Sequence, residues 1–144
     1  MPTFRTLDAA ETEALLARNH VGRLAYSFRD EVDIEPIHYV YADGVLYART
    51  SAGHKLLTLG HNRWVAFEVD EVEGLFDWRS VVVHGSVYLV EPGETPQARA
   101  TYERTCARLR ELVPALFTDG DPTPHRAALF RIHPDRMTGR AATA

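Results

Sequence analysis

The sequence predicts an α+β fold that is mainly β, an antiparallel barrel of about six strands with peripheral helices. Most of the chain alternates apolar and polar residues with the period of two that is typical of half-buried strands. Asp43-Gly44 separates two such segments, and this pair favours a tight antiparallel hairpin. Helical patterns are few and the links are short, which argues against repeated strand-helix-strand units. With 144 residues, the chain is expected to form one domain over residues 1–144.

The N-terminal part of the chain predicts one helix and then three strands. Glu11 follows Asp8 at the spacing of a capping box, which predicts a helix over residues 8–18. The segment VGRLAYSF, residues 21–28, alternates and predicts a strand with one buried face. The segments DIEPIHYVY and VLYART then flank the Asp-Gly pair as the two strands of a hairpin.

A short helix is expected after the hairpin. Ser51 is its candidate N-cap, and Leu56, Leu57 and Leu59 form an apolar cluster before Gly60, a candidate stop. This helix is inserted between strands.

The remaining residues predict strands and one long helix. Thr95 followed by Pro96 marks the start of the helix, which continues to Pro114. Strands are predicted over residues 63–72, 77–90 and 127–134, with a tail over residues 135–144. An acidic stretch is interpreted as a solvated loop: Glu68, Asp70, Glu71, Glu73 and Asp77.

The composition favours a small-molecule or protein partner. The chain has 16 basic and 20 acidic residues and no basic run, which argues against nucleic acid or an anionic membrane surface. No segment has the roughly 20 apolar residues of a membrane span. The single cysteine, Cys106, excludes an internal disulfide, so a reducing, cytoplasmic location is expected. The seven histidines lack the paired spacing of a zinc motif, and no metal is predicted.

The stretch ARTSAGHK, residues 48–55, is the most informative about function. A predicted strand ends at Thr50 and Ser51 and runs through a glycine-containing turn into a helix start. This arrangement gathers backbone N–H groups, hydroxyls and cations, which are the groups that bind a phosphate monoester. Lys55 is the only lysine of the chain, and its compact ammonium suits a point contact with phosphate.

Four segments of the chain carry a family resemblance: GRLAYSF, DIEPIHYVYADGVLYARTSAGHKLLTLGHNRWVAFEVD, WRSVVVHGSVYLV and LFRIHPDRMTGR. In order and character they resemble the pyridoxamine 5′-phosphate oxidase-like family of FMN-binding split barrels, most closely its short, nitroimidazole-resistance-type branch. The similarity covers residues 7–140. It implies a six-stranded split barrel that binds FMN as a homodimer, with the cofactor at the interface.

The resemblance also implies the residues that bind the cofactor. The flavin ring would lie along Pro36, Ile37 and His38, and the ring and ribityl chain would contact Ala48, Arg49 and Thr50. The phosphate would bind at Ser51, His54 and Lys55. Ser80 and Val81 would reach the cofactor of the partner subunit. The resemblance assigns no catalytic side chain, because the flavin itself performs the electron transfer.

The predicted function is FMN-dependent oxidoreduction of an unknown small molecule. His54 occupies the position where pyridoxamine-phosphate oxidase itself has a second cation beside the lysine, so Arg49 is a candidate for the missing charge. Oxidation of pyridoxamine phosphate is therefore not expected of this chain. Three alternatives are left open: a deazaflavin cofactor, a flavin-binding sensor or store without turnover, and a cofactor-free barrel that acts through protein contacts. A related branch binds haem through histidine, which makes His54 with His61 a minor alternative.

Overall fold

The structure is a computed structural model that describes residues 1–58 and 63–144, without the side chains of Lys55 and Thr58. Seven strands and three helices lie in these ranges. The strands are β1 (Thr3–Thr6), β2 (Val21–Phe28), β3 (Glu31–Ala42), β4 (Val45–Thr50), β5 (Arg63–Gly74), β6 (Asp77–Val90) and β7 (Ala128–Thr143). The helices are α1 (Ala9–Arg18), α2 (Lys55–Thr58) and α3 (Pro96–Leu112).

The strands β2 to β7 close into a ring. They follow the order β7-β4-β3-β2-β5-β6, every pairing is antiparallel, and β6 pairs again with β7. The predicted α+β, mainly β class is confirmed, and the ring strands are those that the sequence predicts. The additional strand β1 pairs with the C-terminal end of β7. The sequence does not reveal β1, because its four residues are all exposed and show no buried face.

Local sequence signals at three element ends are confirmed. Glu11 N donates to Asp8 Oδ1 at 2.8 Å, and Asp8 N donates to Glu11 Oε1 at 3.2 Å, which completes the capping box of α1. Asp43 and Gly44 have φ angles of 59° and 73°, as the two central residues of a type I′ hairpin require. Thr95 caps α3 as predicted.

The short helix α2 begins later than predicted. Ser51 does not cap it: its carbonyl accepts from His54 N at 3.0 Å in a turn that precedes the helix. The side chain that caps α2 is the His54 imidazole, whose Nδ1 accepts from Leu56 N at 3.0 Å. The predicted end of the helix, at Leu59 and Gly60, lies outside the described residues.

Most of the predicted tail, residues 135–144, is the second half of β7. This strand continues through Pro134 and pairs with β6 from Val90 back to Trp78. Proline has no N–H donor and normally ends a ladder, which is why the sequence indicates a tail here. In the fold, Pro134 lies opposite Gly85 at a register shift, so the ladder continues beyond it.

Apolar residues pack on both sides of the sheet. The interior of the ring is filled by side chains that include Leu24, Tyr39, Phe67, Val83, Phe130 and Ile132. A second cluster lies under α3 and contains Val40, Tyr47, Val90, Cys106, Leu109, Leu116 and Leu129. The burial of Cys106 agrees with the small core residue expected there.

The acidic stretch lies on β5 and β6, not in a solvated loop. The Glu71 carboxylate accepts from Arg18 at 2.8 Å, from Asn19 at 2.7 Å and from Arg79 at 2.9 Å. The hydrogen bond from Arg18 is the main cause that lowers the pKa of Glu71 to about 2. Glu71 thereby joins the end of α1 to the β5–β6 pair.

Replacing Glu68 by glutamine should stabilise the protein at pH 8 but not at pH 5. Burial, followed by the neighbouring Asp70 carboxylate, raises the pKa of Glu68 to about 7, whereas an unfolded glutamate has a pKa of about 4.3. The folded state therefore binds the proton more tightly, and stability falls as the pH rises between these two values. Thermal melts at both pH values measure the effect, with exposed Glu73→Gln as the control. Equal melting temperatures of wild type and Glu68→Gln at pH 8 would contradict it.

Candidate functional site

A polar cleft of about 210 Å³ lies between β3, the turn that follows β4 and the segment that precedes β7. Its lining consists of Glu35, Pro36, Ile37, His38, Arg49, Thr50, Ser51, His54, His125 and Arg126. The fold thus brings together the three predicted residues of β3 and most of those at and after the end of β4. Ala48 is an exception: it is 2% exposed and packs in the ring interior, so only its backbone can reach a ligand.

The cleft has two chemically different ends along β3. At one end, His54 Nε2 contacts Glu35 Oε1. At the other end, Arg126 Nη1 lies 3.3 Å from His38 Nδ1. Glu35 and His38 are three residues apart on an extended strand, so their Cα atoms lie roughly 10 Å apart at about 3.3 Å per residue.

The His54 ring is held in a defined orientation. Because its Nδ1 accepts from Leu56 N, its Nε2 carries a proton and faces the Glu35 carboxylate. The ring also lies edge-on to Tyr26, with centroids 5.8 Å apart. In the preceding turn, a Cβ added to Gly53 would meet no atom within 4 Å. The turn is therefore open to the approach of a ligand.

Arg49, the candidate for additional phosphate charge, is already balanced within the chain. Its Nη1 donates to Asp121 Oδ2 at 2.7 Å, and its Nη2 donates to Asp121 Oδ1 at 2.8 Å and to Thr123 Oγ1 at 2.8 Å. The side chains of Arg49 and Asp121 are 7% and 1% exposed. The hydrogen bonds from Arg49 hold the pKa of Asp121 well below its usual range.

His125 and Arg126 are cleft residues that the sequence analysis missed. They reach the cleft because β7 pairs with β4, with Ala128 opposite Thr50. A basic pair directly before a strand is a signal that sequence reasoning could have used. No carboxylate lies within 4.0 Å of the Arg126 guanidinium among residues 1–58 and 63–144, where side chains are described. Arg126 is thus a cation that this part of the chain leaves without an ion pair.

Ser80 and Val81 do not line the cleft. Ser80 is half-buried on β6, and the Val81 side chain is 0% exposed inside the ring. Their contact with the cofactor of a partner subunit stays a prediction. Lys55 is the first residue of α2, directly after His54, and its contact with a phosphate also stays a prediction.

In the part of the chain that the structure describes, no three His, Cys, Asp or Glu residues are grouped so that they could hold a metal ion. The alternative that pairs His54 with His61 falls partly on a residue outside that part. Within residues 1–58 and 63–144, no helix has both the length and the apolar character needed to cross a membrane.

The family follows from a comparison with known proteins. The model of the pyridoxamine 5′-phosphate oxidase family matches residues 8–141 of the chain. The chain belongs to this family. The match confirms the resemblance stated above. It includes every helix and strand of this pyridoxamine 5′-phosphate oxidase family member except β1 and the last residues of β7.

Individual relatives agree with this assignment. An uncharacterised protein of Rhizobium meliloti is 29% identical over an alignment of 150 positions, which covers 97% of this chain and 96% of that protein. The crystal structure of an FAD-binding protein from Mesorhizobium loti is 27% identical, with a TM-score of 0.73 over 98% of this chain and 99% of that one. A candidate 5-nitroimidazole antibiotic resistance protein from Bacteroides thetaiotaomicron is 14% identical and covers 99% of this chain and 89% of its own. With a TM-score of 0.64, it shares the fold.

Proposed function

We propose that the chain binds FMN in the polar cleft and uses it in an oxidoreductase reaction on a small molecule. The observation that carries the proposal is the cleft itself, where Pro36, Ile37 and His38 of β3 meet Thr50 and Ser51. The Mesorhizobium loti relative is described as FAD-binding, which supports a flavin as the ligand. The flavin supplies the electron transfer, and the protein needs only to bind and orient it.

The Ser51 end of the cleft suits the phosphate. The Ser51 hydroxyl and the backbone N–H groups of the open turn at Gly53 can donate to phosphate oxygens. At this end His54 Nε2 contacts the Glu35 carboxylate. Since Arg49 is paired with Asp121, the charge that balances the phosphate would come from Lys55.

The His38 end of the cleft suits the ring. The Cα atoms of Glu35 and His38 are roughly 10 Å apart on the extended strand, a separation that the ribityl chain of FMN can span. His38 Nδ1 accepts from Arg126, so Nε2 of the neutral ring carries the proton and can donate to an acceptor on the flavin edge. The backbone of Pro36 and Ile37 would lie along the ring between the two ends.

The cofactor would lie at a homodimer interface. The volume of about 210 Å³ is below the roughly 300–1,000 Å³ of most small-molecule sites, so one chain would cover only part of FMN. On the outside of the ring, away from α3, Val32, Ile34 and Trp64 are 77%, 69% and 63% exposed. Exposed apolar residues of this kind suit a subunit interface, and a homodimer is also what the predicted contact of Ser80 and Val81 with the cofactor of the other subunit requires.

Removing the charge of Lys55 should weaken FMN binding at least about tenfold, because no other unpaired cation is assigned to the phosphate. Fluorescence titration of wild type and Lys55→Gln with FMN measures the change. The control Arg110→Gln removes an exposed charge outside the cleft and should bind FMN like wild type. Unchanged affinity in Lys55→Gln would contradict the phosphate assignment, and a wild-type protein unable to take up FMN would contradict the proposed function.

Two further measurements separate the alternatives. The mass of the chromophore released from purified protein distinguishes FMN from FAD and from a deazaflavin. Anaerobic bleaching of the bound flavin by NADH or NADPH is expected for an oxidoreductase. A flavin that neither reductant bleaches would favour the sensor or store.

A further inference from the structure

An apolar cavity of about 230 Å³ adjoins the polar cleft. It lies between the C-terminal end of α3 and the segment that precedes β7. Its apolar lining consists of Leu109, Leu112, Val113 and Pro122. His38, Arg49 and Arg126 line both the cavity and the cleft. The two spaces therefore meet at the His38 end of the cleft, which is where the flavin ring would bind under the proposed function.

Of the two arginines that the spaces share, only Arg126 is without an ion pair among the side chains that the structure describes. Arg49 is held by both carboxylate oxygens of Asp121 and by Thr123. The Arg126 guanidinium has five N–H donors, and its side-chain partner in the described part of the chain is His38 Nδ1, at 3.3 Å. A half-buried cation that faces a neutral acceptor can still pair with an anionic group of a ligand.

The size of the cavity limits its occupant. A protein cavity of about 150 Å³ can hold benzene, so 230 Å³ has room for one ring with a substituent. The lining of leucine, valine and proline favours an apolar body. The boundary with the cleft supplies one unbalanced positive charge.

We propose that this cavity binds a small organic acid with a single-ring apolar body, and that Arg126 pairs with its acid group. The occupant would be the substrate of the flavin reaction, held where the cavity meets the cleft; in this respect the inference rests on the proposed function. Arg126 acts here as a binding residue that determines specificity for anions. Leu112 and Val113 select the apolar body.

Benzoate is the probe for the experiment. Its binding to the full chain is followed through the methyl resonances of labelled leucine and valine, with and without FMN. We expect benzoate to shift the methyl signals of Leu109, Leu112 and Val113. It should bind at least about tenfold more tightly than benzamide, which lacks the charge, and than acetate, which lacks the apolar body.

Two variants test the assigned roles. Arg126→Gln should reduce benzoate affinity to that of benzamide, whereas Arg110→Gln, an exposed change on the same end of α3, should leave both affinities unchanged. Leu112→Trp should fill the cavity and abolish the shifts at Leu109 and Val113, with thermal melts reporting whether each variant is folded. Equal affinities for benzoate and benzamide, or unchanged benzoate binding in Arg126→Gln, would overturn the inference.

The outcomes also separate this inference from the proposed function. FMN uptake without any benzoate-induced shift would overturn the cavity assignment and leave the flavin function intact. Benzoate binding by a protein that takes up no FMN would overturn the flavin function and the role of the cavity as a substrate site, while the ligand class of the cavity would hold.

Discussion

Replacing Asp121 by alanine is expected to lower the melting temperature by roughly 10 °C. Asp121 is the counter-ion of Arg49, and their side chains are 1% and 7% exposed. Removal of the carboxylate leaves a buried guanidinium without a partner, which costs more than the pair itself contributes. It also frees the N–H groups of Phe117 and Thr123, each of which donates to Asp121 at 3.0 Å.

The variant Asp121→Asn separates charge from hydrogen bonding, because an amide oxygen can still accept from a backbone N–H group. We expect it to melt between wild type and Asp121→Ala at pH 7. Exposed Asp119→Asn, in the same loop, is the matched control and should melt like wild type. A melting temperature of Asp121→Ala within 2 °C of wild type would disprove the structural role of the pair.

The same pair should make stability depend on pH. The pKa of Asp121 is lowered in the folded state, so the stability contributed by the carboxylate is present above the unfolded pKa of about 3.9 and is lost as the pH falls through the lower, folded value. The difference between the melting temperatures of wild type and Asp121→Asn should therefore be large at pH 7 and shrink below about pH 4.

The sequence predicts those parts of the fold whose causes are local. A capping box needs only Asp8 and Glu11, and a type I′ turn needs only Asp43 and Gly44, so a few residues determine the backbone there. The strands of the ring alternate because one face of each is buried in its interior.

The sequence-based predictions are wrong where contacts with residues distant in the sequence determine the local structure. Pro134 would end an isolated strand, yet β7 continues because the register shift opposite Gly85 accommodates it. Ser51 has the chemistry of a helix cap, but His54 takes this role, and its ring is also in contact with Glu35 of β3 and Tyr26 of β2. In both cases the local preference is overruled by contacts that form only in the folded chain.

The candidate site likewise has residues that the sequence predicts and long-range pairs that it does not predict. The β3 and β4 residues of the cleft are close in sequence and joined by one hairpin, and the pattern that predicts phosphate binding lies in one continuous stretch. Arg126 joins them from 88 positions beyond His38, and Asp121 pairs with Arg49 across 72 positions. No periodicity or spacing in a single sequence indicates such pairs.

Replacing Gly85 by alanine is expected to destabilise the protein by about 3 kcal/mol, which corresponds to a fall of roughly 10 °C in melting temperature. A Cβ at this position would lie 2.2 Å from the backbone oxygen of His133 and 3.1 Å from Pro134 Cα. Carbon atoms in favourable contact are about 3.5–4.0 Å apart. The neighbouring strand would therefore have to move by more than 1 Å, and the obstacle is backbone that cannot rotate away.

The expected effect is large because this contact lies on the β6–β7 seam that closes the ring. Moving β7 at Pro134 disturbs the ladder on both sides of the register shift, including the half of the strand that pairs with β1. Gly74→Ala is the matched control, since its Cβ would lie 4.0 Å from Asp77 Cβ and fits without adjustment. If both variants melt at the wild-type temperature, the two backbones do not approach each other at Gly85, and the continuation of β7 beyond Pro134 needs another cause. If only Gly85→Ala melts early, the missing side chain at position 85 is what allows a proline inside this strand.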